Sequence, residues 1–322
     1  LPRRQRQMCI RDRNNIENLI NIFSDSFIID DDYEQSVQGI AKMRQKYINY
    51  PQISYLNVNS LRNKIYDIRN LVSQISPTIL SISETKIDNS FPDSQFFIDN
   101  YQNPKEYRKD RTKEGGGLIT FIKNGIPCRR ISKMEPPDLE IMCIEIDFGK
   151  KKWAIISVYR QATKHSPKIF FEGLSQCVEK VTKKYDNIIL MGDINVNILN
   201  KSSPGYQNYI SFLDKFDLKN LIKKTTCHSK TASSSLDVLL TNRNRSFFNT
   251  IVLETGISDV HCLVGTTLKN TYKKAQPNII QYRDYKNFDE NAFKNDLNNF
   301  EEIDDSKAVS YTHLRAHETC PY

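Results

Sequence analysis

Apolar residues along this chain fall into short continuous runs and into stripes at helical spacing, and the alternation of the two lays out the fold. The clearest run covers residues 188–191, which lead through Gly192 to Asp193 and Asn195. A run without a polar face reads as a strand buried on both sides. If the backbone stays extended past Gly192, side chains 193 and 195 point the same way, so a carboxylate and a carboxamide converge where the strand ends. A plain Gly-Asp turn is the bland reading of the same residues.

Residues 53–57 and 78–83 are further strands, the second running into Glu84. Between them Ile65, Ile68, Leu71, Val72 and Ile75 mark one face of a helix, and Pro77 restarts the chain. Three glycines at 115–117 precede a strand at 118–122. Strands at 140–148 and 152–159 flank a GKKK turn, a hairpin signature. Phe170, Leu174, Cys177, Val178, Val181 and Tyr185 form the stripe of an amphipathic helix. A helix around 206–216, a strand at 236–240 and a last strand at 260–268 complete the pattern. Hairpins mixed with strand-helix units predict an α/β fold, a four-layered sandwich of two mixed β-sheets packed face to face and flanked by helices. Residues 52–270 read as one domain, with a partly helical or disordered leader at 14–51 and a connector at 271–308.

Charge and composition narrow this only modestly. Residues 1–13 and 309–322 resemble translated adapter sequence and are set aside; they carry half of the formal charge of +8. What remains is mildly basic and permits a polyanionic partner. No apolar run approaches the roughly 18 residues of a membrane span. Outside the tails the cysteines are Cys128, Cys143, Cys177, Cys227 and Cys262, an odd number without a CxxC pair, so their spacing implies neither a disulfide framework nor a zinc site. An intracellular protein is expected.

Polar residues cluster at the strand ends: Asn57 and Asn59, Glu84, Tyr159, Asp193 and Asn195, Asp237, then Ser258, Asp259 and His261. Singly each has a bland explanation, as a turn former, a helix charge or a satisfied core residue. In order, the segments LNVNSLRNK, SETKI, GGGLITFIK, VYR, GDIN, SSSLDVLLTN and GISDVH resemble the endonuclease/exonuclease/phosphatase superfamily, and within it the apurinic-like endonuclease domain of LINE-type, non-LTR retrotransposons.

That resemblance implies a set of roles. Glu84, with Asn59 and Asp259, would hold a divalent metal, Mg²⁺ with Mn²⁺ as the alternative, since oxygen donors suit a hard cation. Asp193, positioned by Asn57, would deprotonate the attacking water, and Asn195 would hold that water or a phosphoryl oxygen. Tyr159 would donate to the phosphate or the leaving oxygen. His261 would contact the phosphate, kept cationic by Asp237. Arg62, Lys64, Arg108, Lys109, Arg111, Lys113 and Arg160 lie in adjoining loops and would form a basic rim for a DNA backbone. The implied partners are double-stranded DNA and the reverse transcriptase of a parent polyprotein, with no membrane, and the implied place of action is nuclear. A site for abasic DNA, another phosphoester, or an inactive element remnant remain as alternatives. Where the family reads S-D-H, this chain reads S-D-V-H. An extra residue in a regular strand would flip the histidine to the other face, so a bulge absorbing Val260 is expected, with His261 in reach of Asp237.

Overall fold

The computed structural model describes residues 36–149, 151–229, 232–271 and 288–298. The adapter-like tails and most of the leader and connector lie outside them. Two compact units separate near residue 276. In the second, the described part is the helix Glu290–Asn298, within the expected connector.

The first unit opens on α1 (Val37–Lys46), which Ser36 caps by accepting from the Gly39 amide. β1 (Gln52–Asn57), α2 (Leu61–Ile75) and β2 (Ile79–Ser83) follow as a strand-helix-strand crossover, with β1 and β2 parallel. After β3 (Arg108–Lys109), β4 (Leu118–Ile122) and β5 (Cys128–Arg130), the hairpin β6 (Glu140–Asp147) and β7 (Lys152–Tyr159) forms as its pattern predicts. A second crossover runs from β7 through α3 (Pro167–Thr182) to the parallel strand β8 (Ile188–Asp193). Then come α4 (Tyr206–Lys215), β9 (Lys219–Asn220), β10 (Cys227–His228), β11 (Ser233–Ser234), β12 (Asp237–Thr241), β13 (Phe247–Leu253) and β14 (Leu263–Leu268).

The larger sheets have six strands each, ordered β13-β14-β1-β2-β4-β3 and β5-β6-β7-β8-β12-β9. Alternation along the strands divides their side chains between layers. Ile53 and Tyr55 of β1 meet Ile155 of β7 and Ile189 and Met191 of β8 in the core between the sheets. Leu56, Leu80 and Ile82 face a second core under α1 and α2. Ile156, Val158, Ile188 and Leu190 face a third under α3 and α4. Helices thus cover both outer faces, as expected, and every side chain of β8 is buried. Ser81 and Ser157 bridge the sheets through a 2.8 Å hydrogen bond.

Three features extend or depart from the pattern-based reading. The leader contributes α1 to a core, with Ile40 0% and Met43 7% exposed. β13 was not legible because it buries Asn249 while Phe248 and Val252 stay half-exposed, so its alternating burial is not mirrored by alternating apolar and polar residues; a bulge lies between Phe248 and Ile251, with Asn249 at φ 53°. The last strand begins at Leu263 and not at 260.

Candidate active site

Both crossovers end at the same edge, and the carboxyl ends of parallel strands are where such folds hold ligands. β1 delivers Asn57, β2 runs into Glu84, β7 ends at Tyr159 and β8 at Asp193. Asp237 opens β12, which is antiparallel to β8 and sets Asp237 opposite Asp193. The backbone turns sharply here: Asn59, Glu84, Lys86 and Asn195 adopt φ of 47°, 51°, 52° and 51°, left-handed conformations uncommon for non-glycine residues. Asn195 therefore reaches Asp193 through a turn rather than along an extended strand, its amide donating to Asp193 Oδ1 at 2.8 Å. Gly192 is required by close approach, since a Cβ there would lie 1.9 Å from the Val158 carbonyl oxygen.

Asn57 Nδ2 is the hub, donating to Asp193 Oδ2 at 2.9 Å and to Glu84 Oε1 at 3.1 Å. Tyr159 donates to the same Glu84 oxygen at 2.8 Å. Tyr55, absent from the sequence-based set, accepts from the Asp193 amide at 2.9 Å and joins Ser83. His261 Nδ1 lies 3.0 and 3.2 Å from the two Asp237 oxygens, and its Nε2 lies 3.9 Å from Asp193 Oδ2. Thr226, which no sequence signal marked, donates to Asp237 Oδ2 at 2.7 Å.

Burial sets the protonation states. Desolvation, then the nearby Asp237 charge, pushes the Asp193 carboxyl up to about 7. Burial opposes the charge on His261, but its hydrogen bond to Asp237 and the charges of Asp237 and Asp193 prevail and raise it to about 9. Near neutral pH Asp193 thus exchanges between its acid and its proton-accepting carboxylate beside an imidazolium. Tyr159 is held in its neutral, donating form by burial and by the Glu84 charge.

The S-D-V-H run is a loop, so the expected strand bulge is not the device used. His261 forms an isolated bridge with Cys227, flanked by His228 N donating to Val260 O and Cys262 N to Thr226 O, both at 2.7 Å. The extra residue is spent on these anchors, and His261 faces Asp237 without a β-ladder to keep in register.

The donor set for a hard cation is met in part. Lys86 Nζ lies 2.5 Å from Asn59 Oδ1 and 3.9 Å from Glu84 Oε2, so a carboxylate and a carboxamide oxygen already converge on a positive group. These donors fit Mg²⁺ or Mn²⁺. Asp259 is not gathered with them: its side chain is 75% exposed, 3.9 Å from Lys64 Nζ. Asp193, Asp237 and His261 also present ligand atoms within 4.8 Å of one another, with His261 Nδ1 engaged by Asp237 at 3.0 Å and Nε2 3.9 Å from Asp193 Oδ2.

The expected basic rim is largely turned inward. Arg160 is buried, with Nε, Nη1 and Nη2 donating to the carbonyls of Ile194, His165 and Asn195. Arg111 bonds Gly115 O, Glu140 and Gln161, while the Gly117 amide donates to Glu140, so the glycine run serves this ion pair. Lys109 donates to three carbonyls and Arg108 pairs with Asp93 and Asp110. Arg62 is exposed, Lys64 bonds Val58 O, and Lys113 sits 3.8 Å from Asp88. The side chains that turned inward are arginines and lysines like those that did not, and no local pattern separates the two groups.

Comparison with solved structures places this architecture. A 3'-5' exonuclease from Neisseria meningitidis aligns with TM-score 0.53 at 16% identity, covering 67% of this chain and 99% of that one. The AP endonuclease LMAP of Leishmania major gives TM-score 0.57 at 13% identity, over 69% and 88%. The fold is that of these solved nucleases. The endonuclease domain of TRAS1, a telomere-specific non-LTR retrotransposon, shares this fold with TM-score 0.53 at 12% identity, over 69% and 99%. Residues 153–263 match the family model described as "Endonuclease-reverse transcriptase". No curated protein matches the chain significantly.

Proposed function

We propose that this chain is a divalent-metal-dependent endonuclease that hydrolyses a phosphodiester of double-stranded DNA, leaving a 3′-hydroxyl from which a reverse transcriptase extends. The observation that carries hydrolysis is the Asp193 carboxylate, held by Asn57 and raised to about 7 beside a cationic His261. The DNA substrate and the link to reverse transcription rest on the family match over residues 153–263 and on the likeness to the TRAS1 endonuclease domain. Chromosomal DNA, and hence the nucleus, would be its place of action.

Asp193 takes a proton from the attacking water as the new P–O bond forms. Charge gathers on the phosphoryl oxygens, where the His261 imidazolium, oriented by Asp237, offsets it. The P–O3′ bond breaks, and the Tyr159 hydroxyl, which donates to Glu84 in the free protein, would turn to donate to the departing oxygen. Glu84 and the Asn59 oxygen would hold Mg²⁺ or Mn²⁺, which supplies further neutralisation of phosphate charge.

Supercoiled plasmid incubated with the protein in Mg²⁺ or in EDTA tests this. Open circles are expected with Mg²⁺ alone. No nicking in Mg²⁺ would overturn the reading, and cleavage confined to a duplex with abasic sites would assign the site to abasic DNA instead.

A further inference from the structure

Beside the anchored S-D-V-H loop lies a cluster the hydrolytic chemistry does not use. His228, Glu254 and Cys262 present ligand atoms that all fall within 4.8 Å of one another. His228 Nε2 is 3.6 Å from Glu254 Oε1. With Zn–N and Zn–O bonds of about 2.0–2.2 Å, a tetrahedral site has N···O edges of roughly 3.3–3.6 Å, so this pair already has a ligand spacing. The other ring nitrogen, Nδ1, lies 3.0 Å from Ser233 Oγ, the kind of outer partner that fixes the orientation of a metal-binding imidazole. Thr225 Oγ1 is a more distant neighbour of Nε2 at 3.5 Å. Cys262 is 2% exposed, whereas His228 and Glu254 remain half-exposed and exposed, giving an ion a route in from solvent. Thiolate, imidazole and carboxylate together suit a borderline cation and not Mg²⁺, which separates this cluster from the oxygen donors Glu84 and Asn59.

We propose that His228, Glu254 and Cys262 form a zinc site that staples the loop carrying the phosphate-binding histidine. Glu254 follows the end of β13, Cys262 precedes β14 and is the neighbour of His261, and His228 sits in β10, whose Cys227 bridges His261. One ion would close the connection from 254 to 262 and tie it to β10. With three protein ligands the fourth position falls to water. The proposal stands on this geometry and does not depend on which phosphoester the active site cleaves.

The full chain, stripped with a chelator, is titrated with Zn²⁺ alone against a chromophoric competitor, and separately with Co²⁺. Expected are one tightly bound zinc per chain, a near-ultraviolet thiolate-to-cobalt absorption, and slowed amide exchange across residues 254–262 on zinc binding. Cys262→Ser should abolish the cobalt band. Glu254→Gln, an exposed change that spares the core, should weaken zinc binding by about tenfold, and Asp193→Asn should leave it intact. Zinc binding lost in Asp193→Asn but kept in Cys262→Ser would place the ion in the catalytic cluster and overturn the proposal. Absence of a thiolate band, or unchanged exchange with zinc bound, would also overturn it.

Discussion

Asp193 is 1% exposed, and in that environment its role depends on whether it carries a proton. Asp193→Asn is expected to lower nicking by roughly 10²- to 10⁴-fold with DNA binding nearly intact, because it removes the base and leaves the surface cations. Retention of more than about a hundredth of the rate would exclude that role. The pH profile carries a second test. Asp193 accepts a proton only when ionised, so the rate should climb as pH rises through about 7; His261 acts as a cation, so the rate should fall as pH rises past about 9. Asp237→Asn removes the charge that raises both groups, so both limbs of the pH-rate profile should move to lower pH, the alkaline limb toward histidine's ordinary value of about 6.5. An unmoved alkaline limb would show that His261 does not set it. The residues at this scale were legible in the sequence as polar positions ending apolar runs. Thr226 and Tyr55 were not, because a threonine in a loop and a tyrosine within a strand carry no mark of the partner they meet only after folding.

At the scale of elements, loops decide more than strands. β1, β2, β7 and β8 follow directly from their apolar runs, since strands covered on both faces need apolar residues at most positions. Side-chain direction in the loops is set by long-range partners instead, and Arg160 is the clearest case. Expected at a DNA-facing rim, it holds three carbonyls of the neighbouring loops. Arg160→Ala should therefore cost about 3 kcal/mol of stability, because buried carbonyls lose their donors, and should leave the salt dependence of DNA binding unchanged. Arg62→Ala, at an exposed position, should leave stability alone and reduce the salt slope by about 1 if it contacts a phosphate. Melting curves and binding at several salt concentrations separate the two; a reduced slope in Arg160→Ala would return that residue to the DNA surface. The S-D-V-H loop gives the parallel test. Val260 O and Cys262 N are both anchored to the β10 segment on either side of His261. Deleting Val260 to restore S-D-H cannot keep both anchors and the Asp237 contact, so nicking should fall by at least about tenfold. Unchanged or increased activity in the deletion would show that the loop geometry is not what presents His261.

Over the whole molecule, two crossover units place their strand ends at one edge, and the two six-stranded sheets join there through Asn57 of one and Asp193 of the other. The layer count could be read from the repetition of strand and helix patterns. The packing of α1 could not, because α1 has a short apolar face whose significance depends on the surface of α2 and β13 it meets. Ile40, Met43 and Val37 pack into the core beneath α2, and Tyr47 stacks edge-on against Phe248 at 5.0 Å. Arg44 adds hydrogen bonds to the carbonyls of Ser76, Tyr47 and Tyr50. Removing this helix takes Ile40 and Met43 out of the core that lies on the outer face of the sheet bearing Asn57. Two shortened chains, one beginning at Ser36 and one at Gln52, isolate its contribution. The chain beginning at Gln52 should melt roughly 10 °C lower, the shift for a loss of about 4 kcal/mol in a domain of this size. Its nicking at a temperature where both are folded should be nearly the same, because α1 contributes no atom to the hydrogen-bond network around Asp193. Equal melting temperatures would show that α1 is dispensable to the core, and a loss of nicking without a loss of stability would show that the helix reaches the site by a route other than packing.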